Sequence, residues 1–451
     1  MKHIFVEPGD LATGAKEKLI LETFLGSCVG VTLFDPVKEA GGLLHILLPN
    51  GPKQKMDRNP SLYAETGILT LIDRMRQYGV DISRLEAHIA GGAKIITKGR
   101  MPNIGVGERN ILKTQEVLER LKIPIITRSV GGSIGRRLKL FLPEGKVQIE
   151  LSRTTKSRDI LKQESEKGQK LAQEFDSDFF RKAAEELKPD SKIAIRALQL
   201  VGGDLTTLKE LEKLILKDQI LAGRVLSIVN SAKYGLPQRI SKISHAISLL
   251  GTKNFKKIVM QACVQDLYSR PFNGYGLDEQ AFFHHAVACA ELAQFLAENT
   301  QGIDPEEAYL AALMHDIGKI LVERHFIHLF FKVKRTVSIE KIPFLLAEKK
   351  ILGVDHAQLG RLIANSWQLP LSLEVAIAFH HEPRKAKDAM ELVAIVHIAN
   401  YICNMLGIGL GCDTMSNLFD TTSLSQLEMD ERTVTEIIRY IPEILFKHGP
   451  N

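Results

Sequence analysis

The feature that most constrains the fold is a change of hydrophobic periodicity partway along the chain. Up to residue 151, short apolar runs alternate with glycine-rich breaks, which is typical of strands joined by turns. From residue 192 onward, apolar residues recur three and four positions apart, as at Leu208, Leu211, Leu214 and Ile215, and this spacing indicates amphipathic helices. With 451 residues, the chain is too long for one ordinary core. The sequence therefore predicts a multi-domain protein, an α+β layered sandwich followed by an all-α domain.

A charged segment separates these two regions. Residues 152–191 mix acidic and basic side chains at short spacing, which is typical of a solvated helix. Phe179 and Phe180 contribute to a partial apolar stripe, so the segment is either a helix docked on a neighbouring domain or a tether. We therefore predict a first domain at residues 1–151, a charged and helical linker at 152–191 and an all-α domain at 192–451.

Composition narrows the class of protein. The five cysteines form no C-x-x-C pair and are odd in number, which argues against a disulfide framework or a structural zinc site. The net charge of +6 is small for this length, and the basic residues are scattered, so nucleic-acid binding is not indicated. The sequence has no long uncharged apolar window, and its N-terminus lacks a signal-peptide core. We expect a cytoplasmic protein with reduced thiols and no membrane insertion.

A thiol and an imidazole in the first region are candidates for nucleophilic chemistry. Cys28 follows Gly26, which interrupts an apolar strand pattern, and a thiol at such a break can reach solvent. His45 lies in a second apolar strand pattern, where an imidazole needs a polar partner. Imidazole can take the thiol proton and later protonate a leaving group, so the pair could attack a carbonyl carbon. The alternative is a core cysteine and a hydrogen-bonded core histidine without chemistry.

A second set of polar residues lies in the helical region. It comprises His285, His315, Asp316, His356, His380 and His381. Imidazole nitrogens and carboxylate oxygens are suitable ligands for first-row divalent metals, so the set is a candidate metal site if the helices bring it together. The alternative is a group of polar side chains that hydrogen-bond one another inside a helical core.

Five sequence blocks follow one another in the first region. They are residues 25–29, 45–49, 89–93, 103–105 with Arg109 and Asn110, and 131–132 with Gly135 and Arg136. In this order they resemble the CheD family of bacterial chemotaxis proteins, which are chemoreceptor glutamine deamidases. The resemblance implies a thioester reaction at Cys28 and His45 that needs no cofactor. It also implies a polar residue upstream of the cysteine, and its register leaves Thr23 and Glu22 open; we name Thr23 as the group that orients His45.

The same resemblance implies partners. Methyl-accepting chemotaxis receptors are the expected substrates, with release of ammonia from glutamine side chains. Hydrolysis of glutamyl methyl esters would use the same residues. A phosphatase of the CheC type is an expected partner, because activity in this family is coupled to such a protein.

Segments of the helical region resemble a second family. They are residues 226–232, 243–251, 311–319, 355–360 and 367–370, and together they resemble the HDOD domain, a regulatory relative of the HD-type metal phosphohydrolases. In metal-dependent HD enzymes a late aspartate completes the site, and Asn400 stands at the corresponding place here. An amide binds a metal ion more weakly than a carboxylate, so the resemblance implies a degenerate metal site.

Three functions are compatible with these patterns. The favoured one is a receptor glutamine deamidase with a fused regulatory HDOD domain, because Cys28 and His45 both stand inside their motifs. The second is a non-catalytic signalling adaptor built from two binding modules. The third is an HD-type metal phosphohydrolase, which the loss of a carboxylate at Asn400 disfavours.

Overall fold

The computed structural model describes residues 2–51, 56, 59–93, 105–132, 135–151, 177–186, 196–197, 208–231, 240–265, 275, 279–340, 342–406, 408, 419–429, 437 and 441. Most of the predicted linker lies outside this set, as do residues 103–104 of the fourth sequence block.

The strands lie before residue 152 and form two sheets. Their bounds are β1 Lys2–Phe5, β2 Leu11–Ala15, β3 Leu19–Leu25, β4 Val29–Asp35, β5 Ala40–Ile46, β6 Glu86–Gly91, β7 Ile125–Val130, β8 Arg136–Leu142 and β9 Lys146–Leu151. The first sheet has the order β1-β3-β8-β9 and the second β2-β5-β4-β6-β7. Since β3 and β4 belong to different sheets, the chain crosses from one sheet to the other at residues 26–28.

Two apolar layers hold this region together. Leu21, Leu43 and Leu138 share the core between the sheets. The other face of the five-stranded sheet packs on two helices, α1 Ala64–Arg76 and α2 Val106–Arg120. Strands β4 and β5 are buried along their whole length, as expected for strands covered on both faces.

The rest of the described chain is helical. The bounds are α3 Ser177–Glu186, α4 Leu208–Ile215, α5 Gln219–Val229, α6 Ile243–Gln265, α7 Glu279–Glu298, α8 Pro305–Met314, α9 Gly318–Glu340, α10 Phe344–Leu352, α11 His356–Ser366, α12 Leu371–Phe379, α13 Met390–Leu406 and α14 Thr422–Gln426. Among the described residues, no helix combines the length and the apolar character needed to cross a bilayer.

Local sequence signals explain where the helices that matter below begin. Asp304 caps α8 by accepting a hydrogen bond from the amide of Glu306 at 2.9 Å, with proline at the first helical position. Asp355 and Gln358 form a capping box at the start of α11. The caps fix the helix starts that place Asp316 just after α8 and His356 at the first position of α11.

The described end of the charged segment is a docked helix. In α3, the rings of Phe179 and Phe180 lie 5.7 and 5.4 Å from the ring of Phe326 in α9. Ser366 of α11 donates a hydrogen bond to the carbonyl of Ala184 at 3.4 Å. Residues 177–186 therefore pack on the helical region. The layered α+β region followed by helices confirms the predicted fold class.

Candidate active site and histidine cluster

Cys28 lies in the crossing between the two sheets, and neighbouring segments hold the carbonyls of this loop. The Gly26 carbonyl accepts a hydrogen bond from the amide of Ala93 at 2.7 Å, and the Cys28 carbonyl accepts one from the amide of Gly92 at 2.7 Å. Gly91 has a φ of 105°, and a Cβ there would lie 2.1 Å from the Cys28 carbonyl oxygen, so this close approach requires glycine.

The third carbonyl of the loop is held by a buried amide. Asn110 of α2 donates from Nδ2 to the carbonyl of Ser27 at 3.3 Å and to that of Leu47 at 2.9 Å. The three carbonyls of the loop thus have donors within the first region. The amide of Ser27 binds a group outside the loop. The sequence resemblance included Asn110 without assigning it a role, and the structure places it as the support of the Cys28 loop.

His45 and Cys28 are both buried in the layer between the two sheets. His45 is the register partner of Gly30 in the antiparallel pair β4–β5, and side chains of register partners point to the same face. A Cβ on Gly30 would lie 2.7 Å from the side chain of Leu138 in β8. The face of His45 is therefore the one between the sheets. Cys28 lies just before β4, in the same buried cluster as Leu43 and Leu138, and among the described residues no hydrogen bond joins its sulfur to His45 Nε2.

Thr23 of the facing sheet fixes the tautomer of His45. Thr23 Oγ1 donates its proton to the Val6 carbonyl at 2.7 Å, and it lies 2.7 Å from His45 Nδ1. Since the hydroxyl proton is already used, Oγ1 accepts from Nδ1–H. His45 Nε2 then carries a lone pair, and this buried atom has no hydrogen-bond partner among the described residues.

Glu22, the alternative to Thr23, points to the opposite face of β3. Its carboxylate is paired with His3 at 2.7 Å, with Lys139 at 3.7 Å, and with Arg137. Successive residues of a strand face opposite sides, which is why only one of the two neighbours reaches His45.

Burial determines the charge states of the pair. It lowers the pKa of His45 to about 4, although the Val6 carbonyl favours the protonated form. Burial also raises the pKa of the Cys28 thiol far above its ordinary value, although Ser27 acts in the other direction. In this arrangement both groups are neutral at pH 7: the thiol keeps its proton and the imidazole is unprotonated.

The thiol does not reach solvent, contrary to the expectation from the sequence. Cys28 is 0% exposed, and the C-terminal end of α13 lies over its loop. Cys28 Sγ lies 3.5 Å from the carbonyl oxygen of Leu406, and the amide of Ser27 donates to the carbonyl of Met405 at 3.1 Å. No pattern in the sequence predicted that the helical region contacts this loop.

The six polar residues predicted in the helical region come together around Asp316. Four imidazole Nε2 atoms lie near its carboxylate oxygens: His356 at 3.3 Å, His315 at 3.4 Å, His380 at 3.6 Å and His285 at 3.9 Å. His381 Nε2 lies 2.9 Å from His356 Nε2. Cys289, which the sequence prediction omitted, lies 3.5 Å from His285 Nε2. It follows His285 by four positions on α7, and that spacing could have revealed it.

Four of these five imidazoles are oriented through their other nitrogen. His315 Nδ1 lies 2.7 Å from the carbonyl of Ala312, and His380 Nδ1 lies 2.7 Å from the carbonyl of Ile377. His285 Nδ1 lies 2.9 Å from the carbonyl of Ile408. His356 Nδ1 lies 2.7 Å from the Glu348 carboxylate. Such bonds direct Nε2 toward the centre of a cluster, which is the usual orientation of metal-ligating histidines.

The donor set fits a divalent cation. Ligand atoms of Asp316, His356, His380 and His381 lie within 4.8 Å of one another, and so do those of His285, Cys289 and His315. Asp316 Oδ1 and the Nε2 atoms of His315 and His380 are buried without a hydrogen-bond partner among the described residues. Buried polar atoms without partners are costly, and a cation held by the first group would satisfy those of Asp316 and His380.

Charges at the cluster are already partly balanced. Lys319 Nζ lies 2.5 Å from Asp316 Oδ2. Burial alone would raise the pKa of Asp316, but His315 and Lys319 hold it well below its usual range. Burial would lower the pKa of His356, but Glu348 and Asp316 raise it to about 10. Asn400 accepts a hydrogen bond from Asn404 at 2.7 Å.

Comparison with known proteins identifies relatives of both regions. The family model "CheD chemotactic sensory transduction" matches residues 47–151, and the "HDOD domain" model matches residues 187–383. The "Probable chemoreceptor glutamine deamidase CheD" of Pyrococcus horikoshii is 38% identical over 149 residues, which are 33% of this chain and 92% of that protein. A protein of the same name from Caldanaerobacter subterraneus is 39% identical over 127 residues, 28% of this chain and 78% of that protein.

A solved structure supports the fold of the larger part of the chain. It comes from Marinobacter aquaeolei VT8 and is assigned to signal transduction, with 20% identity and a TM-score of 0.51 over 63% of this chain and 65% of that one. At this identity the match concerns the fold alone. The range 47–151 begins after His45, so the roles of Thr23, Cys28 and His45 rest on their geometry.

Proposed function

Because the chain belongs to the CheD family through its N-terminal region and carries an HDOD domain, we propose that it is a chemoreceptor glutamine deamidase whose nucleophile is Cys28. The observation that carries this proposal is the series of contacts from Val6 through Thr23 to His45. It leaves an unprotonated and unpartnered Nε2 of His45 in the layer between the sheets, where Cys28 is also buried.

The reaction begins with transfer of the thiol proton to His45 Nε2. The Cys28 sulfur then forms a bond to the carboxamide carbon of a receptor glutamine, and the carbonyl electrons move to its oxygen. The amide of Ser27 donates a hydrogen bond to this developing oxyanion. His45 returns its proton to the nitrogen, the carbon–nitrogen bond breaks, and ammonia leaves a thioester.

Water completes the reaction. His45 takes a proton from the water, whose oxygen bonds to the thioester carbon; the carbon–sulfur bond then breaks, and His45 gives that proton to the sulfur, which leaves as the thiol. Glutamate and the free Cys28 are the products. A glutamyl methyl ester would follow the same course with methanol as the leaving group. On a receptor helix the new negative charge repels acidic neighbours at helical spacing, by a few tenths of a kcal/mol for each pair.

The signalling setting is part of the proposal. Methyl-accepting receptors are the substrates, a phosphatase of the CheC type is a partner, and the reaction takes place in the cytoplasm. The proposed division is a deamidase domain at 1–151, a linker at 152–191 and a regulatory domain at 192–451. The change from strands to helices and the two family matches support this division, and α3 shows that the end of the linker packs with the helices.

The histidine cluster is proposed as a divalent metal site of the regulatory domain. Asp316, His356, His380 and His381 would hold the ion, and the unpartnered atoms at Asp316 and His380 support this capacity. A bound ion would supply Lewis acidity. Phosphohydrolase turnover is disfavoured, since Asn400 lacks the carboxylate and Lys319 already neutralises Asp316.

Incubation of the purified chain with a receptor signalling fragment tests the enzymatic proposal. Mass spectrometry of the fragment is expected to show glutamine converted to glutamate, with release of ammonia. The Cys28→Ala variant should show no conversion, whereas Cys263→Ala, at a buried cysteine of the helical region, should retain it. Conversion by Cys28→Ala equal to that of the wild type would overturn the mechanism.

A further inference from the structure

The end of α13 presents carbonyl oxygens that its own helix does not bond. The last carbonyls of a helix have no intrahelical donor and carry a partial negative charge. The Cys403 carbonyl is taken by the amide of Ile408 at 3.0 Å. Those of Met405 and Leu406 are instead satisfied by the amide of Ser27 at 3.1 Å and by the Cys28 thiol at 3.5 Å. The loop that carries the nucleophile thus caps this helix.

The same donors are needed for catalysis. In the proposed reaction, the Ser27 amide binds the substrate carboxamide oxygen, and the Cys28 thiol must be free to lose its proton. In the structure, the Ser27 amide donates to the Met405 carbonyl oxygen, and the Cys28 thiol donates to the Leu406 carbonyl oxygen. A receptor glutamine and the end of α13 therefore cannot bind together.

The contact depends on glycine at position 26. A Cβ there would lie 2.1 Å from the Met405 carbonyl oxygen, and its three nearest neighbours are all backbone atoms of Met405. Gly26 is not among the glycines with a positive φ, so its backbone could accept alanine. The lack of a side chain at 26 thus serves the approach of α13.

We propose that the C-terminal turn of α13 is an intramolecular inhibitor that binds the deamidase site in place of substrate. This regulation rests on the proposed deamidase function of Cys28. Because the two hydrogen bonds are individually modest and the inhibitor is part of the same chain, its high effective concentration keeps the site closed while leaving it easy to open.

A contact to the histidine cluster holds the inhibitory turn. His285 Nδ1 donates to the carbonyl of Ile408 at 2.9 Å, two residues beyond the carbonyl that binds Cys28. The other nitrogen of the same ring faces Asp316. His285 therefore lies between Asp316 and Ile408, and a change at the cluster would reach Cys28 through Ile408 and Leu406.

The rate at which iodoacetamide alkylates Cys28 in the full chain measures whether the site is closed, and peptide mapping separates Cys28 from the other cysteines. His285→Ala and Gly26→Ala are each expected to speed this alkylation about tenfold, the effect of losing a hydrogen bond of ordinary strength. His284→Ala is the matched control, because His284 is the adjacent residue of α7 and is exposed; it should alkylate at the wild-type rate.

Replacement of His285 by asparagine guards against a simple folding defect. The Asn amide nitrogen can take the place of Nδ1, so His285→Asn should restore slow alkylation while His285→Ala does not. Equal rates of Cys28 alkylation in the wild type, His285→Ala and Gly26→Ala would overturn the inhibitory contact, whatever the deamidase activity of these proteins. Faster alkylation in both variants with no conversion of receptor glutamine would instead support the contact and refute the proposed deamidase function.

Discussion

Thr23 Oγ1 lies 2.7 Å from His45 Nδ1 and gives its own proton to the Val6 carbonyl. Because the hydroxyl can then only accept from the ring, His45 presents an unprotonated Nε2 in the layer between the sheets, where Cys28 is also buried. Thr23 is therefore a positioning residue, which acts on the reaction through His45.

Replacement of Thr23 by valine should lower kcat by about tenfold to a hundredfold and leave KM nearly unchanged, because the ring loses the acceptor that selects its tautomer. Steady-state deamidation of a receptor fragment measures both constants. Thr32→Val is the matched control, since Thr32 is buried in β4 and its Oγ1 has no partner among the described residues. A Thr23→Val enzyme with wild-type kcat would contradict the role of Thr23.

Asn110→Asp should slow the reaction and reduce the free energy of unfolding by about 1–3 kcal/mol, because an acceptor would face the two carbonyls that Nδ2 now satisfies. Chemical denaturation and kcat report the two effects. Thr114→Val, one turn further along α2 and also without a hydroxyl partner among the described residues, should affect neither. Normal kcat in a destabilised Asn110→Asp protein would show that the Cys28 loop does not depend on this amide.

Acid should destabilise the protein through His45. Its pKa is lowered from 6.5 to about 4 in the folded state, so the unfolded chain takes up this proton first as the pH falls. The contribution of His45 to the free energy of unfolding is full above pH 6.5 and is lost as the pH falls to about 4. The loss is roughly 3 kcal/mol from this group alone. Denaturation midpoints over this range should show a shallower slope in His45→Gln than in the wild type or in the exposed control His284→Gln. Parallel slopes would contradict the burial of a neutral His45.

Mn²⁺ should bind the histidine cluster, and calorimetric titration should detect this in the wild type but not in Asp316→Asn. Asp304→Asn is a suitable control, because asparagine preserves the cap of α8. No binding heat in the wild type, or equal binding by Asp316→Asn, would contradict the proposed metal site.

Much of the site could be predicted from the sequence, because Cys28 and His45 lie in short strand patterns close together along the chain. The spacing of strand patterns placed Cys28 and His45, and the resemblance narrowed the third residue to Thr23 or Glu22. The choice between those two needed the face of β3, which depends on pairing with β8 across more than a hundred residues. The contact of Leu406 with Cys28 joins positions 378 residues apart. It is made by backbone carbonyls, which leave no pattern in the side chains, so the sequence predicted an accessible thiol.

The most direct test of the account is detection of the acyl-enzyme. Acid quenching of His285→Ala during turnover of a receptor fragment, followed by peptide mapping, should show a thioester that joins the receptor glutamyl group to Cys28, with less adduct in the wild type, whose site is closed. Conversion of glutamine without an adduct at Cys28, and unaffected by Cys28→Ser, would contradict it.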